Sequence, residues 1–142
     1  MSVVDDRLCI GAVIFEFVTT THPPKDKYYI IVGISDDKIA LGTVYINSEI
    51  NLHSINNAHL KKLHIPISAD ENPFLKWDSY IDCSGINERS ISDVNKCIAS
   101  NDPKYGYVSN LPADIMQTVT TTLDSAFTIS PVIKKKYKIR IA

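Results

Sequence analysis

The sequence predicts an α+β fold with a β-rich first half, two helical segments and a closing strand. Runs of β-branched and aromatic residues separated by turn residues fill the first half. Apolar residues recur at helical spacing in two later segments, and apolar and basic residues alternate at the end. A chain of 142 residues fits one domain, and no linker divides it, so we expect a single domain over 1–142.

The first half predicts three consecutive antiparallel strands. Residues 8–18 form the first apolar run, which we expect to bend at Gly11. A loop at 19–26 follows, where two adjacent prolines favour an extended path. Residues 27–34 and 39–46 are apolar runs joined by turn-forming residues, and this pattern predicts an antiparallel hairpin.

The middle of the chain predicts a helical turn at 55–60 and strands at 62–68 and 77–83. Ser90 is a typical N-cap for the first longer helix. Pro112 fits the first turn of a second helix. The apolar residues at helical spacing are Ile91, Val94 and Ile98 in the first helix and Ile115, Met116, Val119, Leu123 and Phe127 in the second.

Three isolated cysteines, Cys9, Cys83 and Cys97, indicate free thiols in a reducing compartment. The first residues lack the pattern of a signal peptide. No apolar run approaches the roughly 20 residues that span a bilayer. We therefore expect a cytoplasmic protein without membrane contact.

The net charge of −1 conceals a basic end. Residues 133–141 alternate as a strand would, with Lys134, Lys136, Lys138 and Arg140 on one face. Alternate side chains lie about 6.5–7 Å apart, close to the phosphate spacing of an extended strand, so this face is a candidate RNA-binding track. Charged side chains also protect an edge strand from pairing with other chains, and this alternative stays open.

The loop before the hairpin contains His22, Lys25 and Lys27. A histidine exchanges protons near neutral pH and lysines stabilise a charged phosphate, so the set suits phosphodiester cleavage. The alternative from composition is an exposed loop with a solvated charge cluster. Asn47 and Ser48 end the third predicted strand, where they bind a phosphate or merely turn the chain. The spacing of the histidines and cysteines predicts no metal site, and we expect no cofactor.

The order of these segments resembles the PemK/MazF-like toxins of bacterial toxin–antitoxin modules. The resemblance lies in the strand, loop, basic residue, hairpin and small hydroxyl residue of the first half. It continues in residues 77–83, which resemble the strand before the family's middle helix, and in residues 105–109, which resemble its step into a final helix. It implies a small SH3-like antiparallel β-barrel with appended helices, metal-independent cleavage of single-stranded RNA, a homodimer and an antitoxin partner.

The resemblance also implies catalytic roles for His22, Lys27 and Ser48. Lys27 stands where the family has an arginine, and Ser48 where it has Thr or Ser. The family's Arg-Pro pair is replaced by Lys27-Tyr28, which keeps the charge but loses the bidentate fork of a guanidinium. One alternative is an inactive barrel that binds a protein, either an antitoxin or a gyrase-like target. A further alternative is an interaction module without catalysis.

Overall fold

A computed structural model describes residues 5–18, 25–48 and 58–139. Their elements form an α+β fold around a seven-stranded antiparallel sheet. The strands are β1 (Ala12–Val18), β2 (Lys25–Ile34), β3 (Ala40–Asn47), β4 (His64–Ile67), β5 (Ser79–Asp82), β6 (Asn87–Ser90) and β7 (Tyr105–Asn110). The helices are α1 (Ala58–Lys61), α2 (Ile91–Ala99), α3 (Ala113–Ser125) and α4 (Pro131–Lys136).

The predicted strands of the first half are confirmed. β1, β2 and β3 are consecutive and antiparallel, and β2 and β3 form the expected hairpin. β1 begins one residue after Gly11, which adopts a positive φ of 97° that a residue with a side chain rarely adopts. The bend predicted at this glycine is therefore a turn that precedes the strand.

The sheet extends from the hairpin in both directions. The strand order is β4-β5-β3-β2-β1-β7, and β6 pairs with the first half of β3 while β5 pairs with its end. In the described part of the chain β4 and β7 do not meet, so the sheet is open. The predicted antiparallel sheet with helices is thus present, but the described strands do not close into a barrel.

Two apolar cores lie on opposite faces of the sheet because strand side chains alternate. On one face, Val13, Ile30 and Val44 pack with Val119 and Leu123 of α3. On the other face, α2 packs through its predicted stripe of Ile91, Val94 and Ile98. Ser90 caps α2 as predicted and accepts a hydrogen bond from the backbone N–H of Asp93.

The predicted closing strand is wrong: residues 131–136 form the helix α4. Ser130 caps this helix, and Pro131 occupies its first turn, where a missing N–H costs nothing. Ile133 and Tyr137 are four residues apart, a spacing that places them on one side of either a strand or a helix. The alternation at this end therefore did not distinguish the two. None of the helices in the described ranges is long and apolar enough to cross a membrane.

Candidate functional site

The open end of the β2–β3 hairpin carries most of the predicted site residues that the structure describes. β2 begins at Lys25 and β3 ends at Asn47, so antiparallel pairing places these termini side by side. A cleft of about 260 Å³, here called the polar cleft, opens between them. Its lining residues are Lys25, Asp26, Lys27, Ile46, Asn47 and Ser48. Four residues proposed from sequence, Lys25, Lys27, Asn47 and Ser48, therefore share one cleft.

Two predicted residues, His22 and Arg140, lie outside the described residues. His22 therefore stays a predicted catalytic residue and Arg140 a predicted RNA-binding residue.

A second cavity, the aromatic groove, lies beside the polar cleft. It has a volume of about 240 Å³ and shares Lys25, Asp26, Ile46 and Ser48 with the cleft. Its other lining residues are Tyr28, Leu75, Lys76, Trp77 and Ser79. Lys27 lines only the cleft and Tyr28 only the groove, because neighbouring strand residues point to opposite faces of the sheet. The two cavities therefore meet around the end of the hairpin.

Specific contacts hold the wall of the aromatic groove. The ring of Tyr28 lies 5.6 Å from that of Phe15 and 5.3 Å from that of Phe74, measured between centroids. The Tyr28 hydroxyl donates a hydrogen bond of 3.3 Å to the Phe74 carbonyl oxygen. Ser79 Oγ donates a bond of 2.9 Å to the Trp77 carbonyl oxygen. These contacts tie the segment before β5 to the hairpin.

Trp77 lines the groove with a largely exposed side chain, at 62% of its full accessibility. Sequence reasoning placed it only within a predicted strand, but β5 begins after it, at Ser79. An indole is a large apolar group that proteins usually bury or place at interfaces. The stability of the fold therefore does not explain why this indole is exposed beside Lys25 and Lys76.

A cluster around Arg89 lies on the same face as Lys27 and was not foreseen from sequence. The Arg89 guanidinium carbon lies 3.9 Å from the centroid of Tyr29. Its Nη2 donates a 2.8 Å hydrogen bond to the Tyr45 hydroxyl and pairs with Glu16 Oε2 at 3.2 Å. Burial raises the pKa of Tyr29 well above its usual range. The tyrosine is therefore neutral and acts as an aromatic surface for the cation.

Lys27 connects this arginine cluster to the polar cleft. Its Nζ lies 4.6 Å from the centroid of the Tyr45 ring, within the range of a cation–π interaction. Tyr45 in turn accepts the hydrogen bond from Arg89. Residues paired across antiparallel strands share a face of the sheet, so the predicted strands could have indicated that Lys27 lies beside Glu16 and Tyr29 beside Tyr45. Arg89 reaches this face only through the pairing of β6 with β3.

His64 is a structural residue. Its Nδ1 lies 2.9 Å from the Leu60 carbonyl oxygen, and its Nε2 lies 3.5 Å from Asp82 Oδ1. The side chain is only 7% exposed, so these contacts hold the ring and leave little of its surface for a substrate. Within the described residues, no three side chains of His, Cys, Asp or Glu are grouped so that they could hold a metal ion.

The C-terminal lysines do not form the alternating face of a strand. Lys134 Nζ donates a 2.7 Å hydrogen bond to the Asp124 carbonyl oxygen. Lys136 pairs with Glu88 at 3.2 Å, and Lys138 pairs with Asp36 at 2.7 Å. Helix α4 thus removes the even spacing on which the proposed RNA track depended. The contacts attach these lysines to the protein's own surface, and their role in RNA binding stays a prediction.

Comparison of the sequence with models of known protein families finds no match, and comparison with curated proteins finds no significant relative.

Proposed function

We propose that this chain is a metal-independent endoribonuclease of the toxin type that acts on single-stranded RNA at the polar cleft. The observation that carries the proposal is the convergence of Lys25, Lys27, Asn47 and Ser48 on one cleft. Two ammonium groups attract and stabilise a phosphate, and an amide and a hydroxyl supply directed hydrogen bonds. The resemblance to the PemK/MazF-like toxins implies catalytic roles for Lys27 and Ser48 of this cleft and the same cleavage of single-stranded RNA.

The proposed reaction is an internal transesterification. His22 accepts the proton of the ribose 2′-hydroxyl, and the 2′-oxygen forms a bond to the adjacent phosphorus. The bond from phosphorus to the 5′-oxygen breaks, that oxygen takes a proton from water, and the hydroxide left behind takes the proton held by His22. Lys27 stabilises the negative charge of the phosphorane, while Asn47 and Ser48 position its oxygens. The products are a 2′,3′-cyclic phosphate and a 5′-hydroxyl end, and the nucleophile belongs to the substrate.

A cleavage assay with end-labelled single-stranded RNA in excess EDTA tests this mechanism. We expect products ending in a 2′,3′-cyclic phosphate, and no cleavage of an RNA that carries 2′-O-methyl groups. His22→Ala and Lys27→Ala should each slow cleavage by at least about a hundredfold. Lys135→Ala is the matched control, because Lys135 is an exposed lysine on α4 that does not line the cleft. Products with a 3′-hydroxyl and a 5′-phosphate would contradict the mechanism.

The same resemblance leads us to propose a homodimer and an antitoxin protein as partner. The alternative function is a non-cleaving barrel that binds a protein target. RNA that stays intact with freshly folded wild-type protein would favour this alternative.

A further inference from the structure

We infer that the aromatic groove is the base-recognition subsite of this site, holding one nucleobase of single-stranded RNA against Trp77 and preferring guanine. The inference rests on the proposed function, because it assigns the neighbouring phosphate to the polar cleft. It states which part of the RNA the protein recognises and which side chains do so.

The shape of the aromatic groove suits a single nucleobase. Its volume of about 240 Å³ is below the roughly 300–1,000 Å³ of pockets that hold drug-sized ligands, so it suits a single ring system. Ile46, Tyr28 and Leu75 give it an apolar floor, and the exposed Trp77 lines it. Exposed aromatic rings bind unpaired bases by stacking, which is how proteins commonly hold single-stranded RNA.

The aromatic groove lies directly beside the cleft that suits a phosphate. The aromatic groove and the polar cleft share Lys25, Asp26, Ile46 and Ser48. A nucleotide has the same two parts in the same relation, since a flat apolar base is joined through a sugar to an anionic phosphate. An isolated apolar groove would fit many ligands, but a groove joined to a lysine-lined cleft fits a nucleotide.

The groove also contains charged groups that can bind the polar edge of a base. Lys25, Asp26 and Lys76 line the groove together. Burial raises the pKa of Tyr28, and the negative charge of the nearby Asp26 carboxylate raises it further. Guanine presents adjacent N–H donors, which suit a carboxylate, and also the O6 and N7 acceptors that lysines bind. Adenine, cytosine and uracil each lack the paired donors.

Trp77 itself reports on the subsite, because it is the only tryptophan of the chain. The full-length protein is titrated with short 2′-O-methyl oligouridines that carry one central guanine, adenine or cytosine. These probes resist cleavage by the proposed mechanism, so binding is measured without turnover. We expect quenching of the Trp77 fluorescence, with the guanine probe binding most tightly. Equal affinity for all probes, or a preference for another base, would overturn the assignment of guanine.

Variants separate stacking from general attraction, with binding followed by the anisotropy of a labelled guanine probe. Trp77→Ala should weaken binding about five- to a hundredfold, the range that loss of one base–aromatic stack produces, while Trp77→Phe should retain most of the affinity. Asp26→Asn should reduce the preference for guanine. Ile39→Ala is the control, because Ile39 is 65% exposed but precedes β3, at the opposite end from Ser48.

The two proposals fail differently. Quenching by the probes without cleavage of RNA would leave the base subsite standing and would remove the ribonuclease. Cleavage of RNA with no quenching, and with unchanged affinity of Trp77→Ala, would leave the ribonuclease standing and would overturn the base subsite.

Discussion

The ring of Tyr137 lies directly over Gly42: a Cβ added to this glycine would lie 2.9 Å from Tyr137 Cγ. Gly42 pairs with Gly33 across β2 and β3, and a Cβ at Gly33 would lie 2.8 Å from the Tyr137 carbonyl oxygen. The tyrosine side chain is only 1% exposed. Because neither glycine has a side chain, Tyr137, which follows α4, packs directly against the backbone of the hairpin.

Substitution of Gly42 by Ala should therefore destabilise the protein. The added methyl group meets a buried ring that cannot move without disturbing its neighbours, and such overpacking costs about 1–3 kcal/mol. Gly85→Ala is the control, since nothing lies within 4 Å of a Cβ at Gly85. Urea unfolding should show a lower midpoint for Gly42→Ala alone, with an unchanged slope. Equal midpoints for the two variants would contradict the packing described here.

The contact between Arg89 and Tyr29 leads to a second prediction. Arg89→Lys keeps the positive charge but loses the planar group that stacks at 3.9 Å and binds Tyr45. We expect a loss of about 1–3 kcal/mol in the free energy of unfolding. Arg7→Lys provides the comparison, because Arg7 is more exposed, pairs with Asp5 and lies farther from its ring, at 5.3 Å from the centroid of Tyr107, so we expect a smaller loss. An Arg89→Lys variant as stable as the wild type would show that the stacking contributes little.

The thiol of Cys83 predicts a loss of stability in alkali. Its side chain is fully buried, and burial raises its pKa from 9.0 to about 12. Above pH 9 the unfolded chain releases this proton while the folded protein retains it, so stability is full below pH 9 and falls as the pH rises towards 12. The slope from one such group approaches about 1.4 kcal/mol per pH unit.

Comparison with Cys83→Val isolates this contribution, because valine fills a similar apolar site and does not titrate. The stability of the wild type relative to Cys83→Val should be constant below pH 9 and fall above it. Chemical unfolding of both proteins over this pH range provides the measurement. A constant difference between them across the alkaline range would contradict a buried, protonated thiol.

Local signals explain which elements were predictable from sequence. The β2–β3 hairpin and the cap at Ser90 depend on residues close in the chain, and both are confirmed. β6 was missed because Asn87–Ser90 is polar throughout and is a strand only through its pairing with β3. The closing helix was mistaken for a strand because Ile133 and Tyr137 satisfy both periodicities.

In the candidate site, too, the contacts between residues of one hairpin were predictable and the long-range contacts were not. Lys25 and Ser48 could be placed together because the predicted hairpin brings the start of one strand beside the end of the next. Trp77 lines the groove because the loop that carries it packs on the hairpin, where Phe74 of that loop contacts Tyr28 across 46 residues of sequence. Periodicity carries no information about such long-range contacts, which is why the exposed tryptophan was not foreseen.

A salt titration tests whether phosphate binds at the hairpin end or at the C-terminal lysines. Each phosphate contact made by a single strand contributes about 0.7 to the slope of log affinity against log salt concentration. If Lys25 and Lys27 contact phosphates in the polar cleft, the double variant Lys25→Gln/Lys27→Gln should reduce that slope by roughly 1.4. Lys136→Gln/Lys138→Gln is matched in charge, but its lysines already pair with Glu88 and Asp36. We therefore expect the slope of this second variant to stay close to that of the wild type. The reverse pattern would move the RNA from the hairpin end to the C-terminal lysines, because pairs between exposed side chains are weak enough for a phosphate to replace the carboxylate.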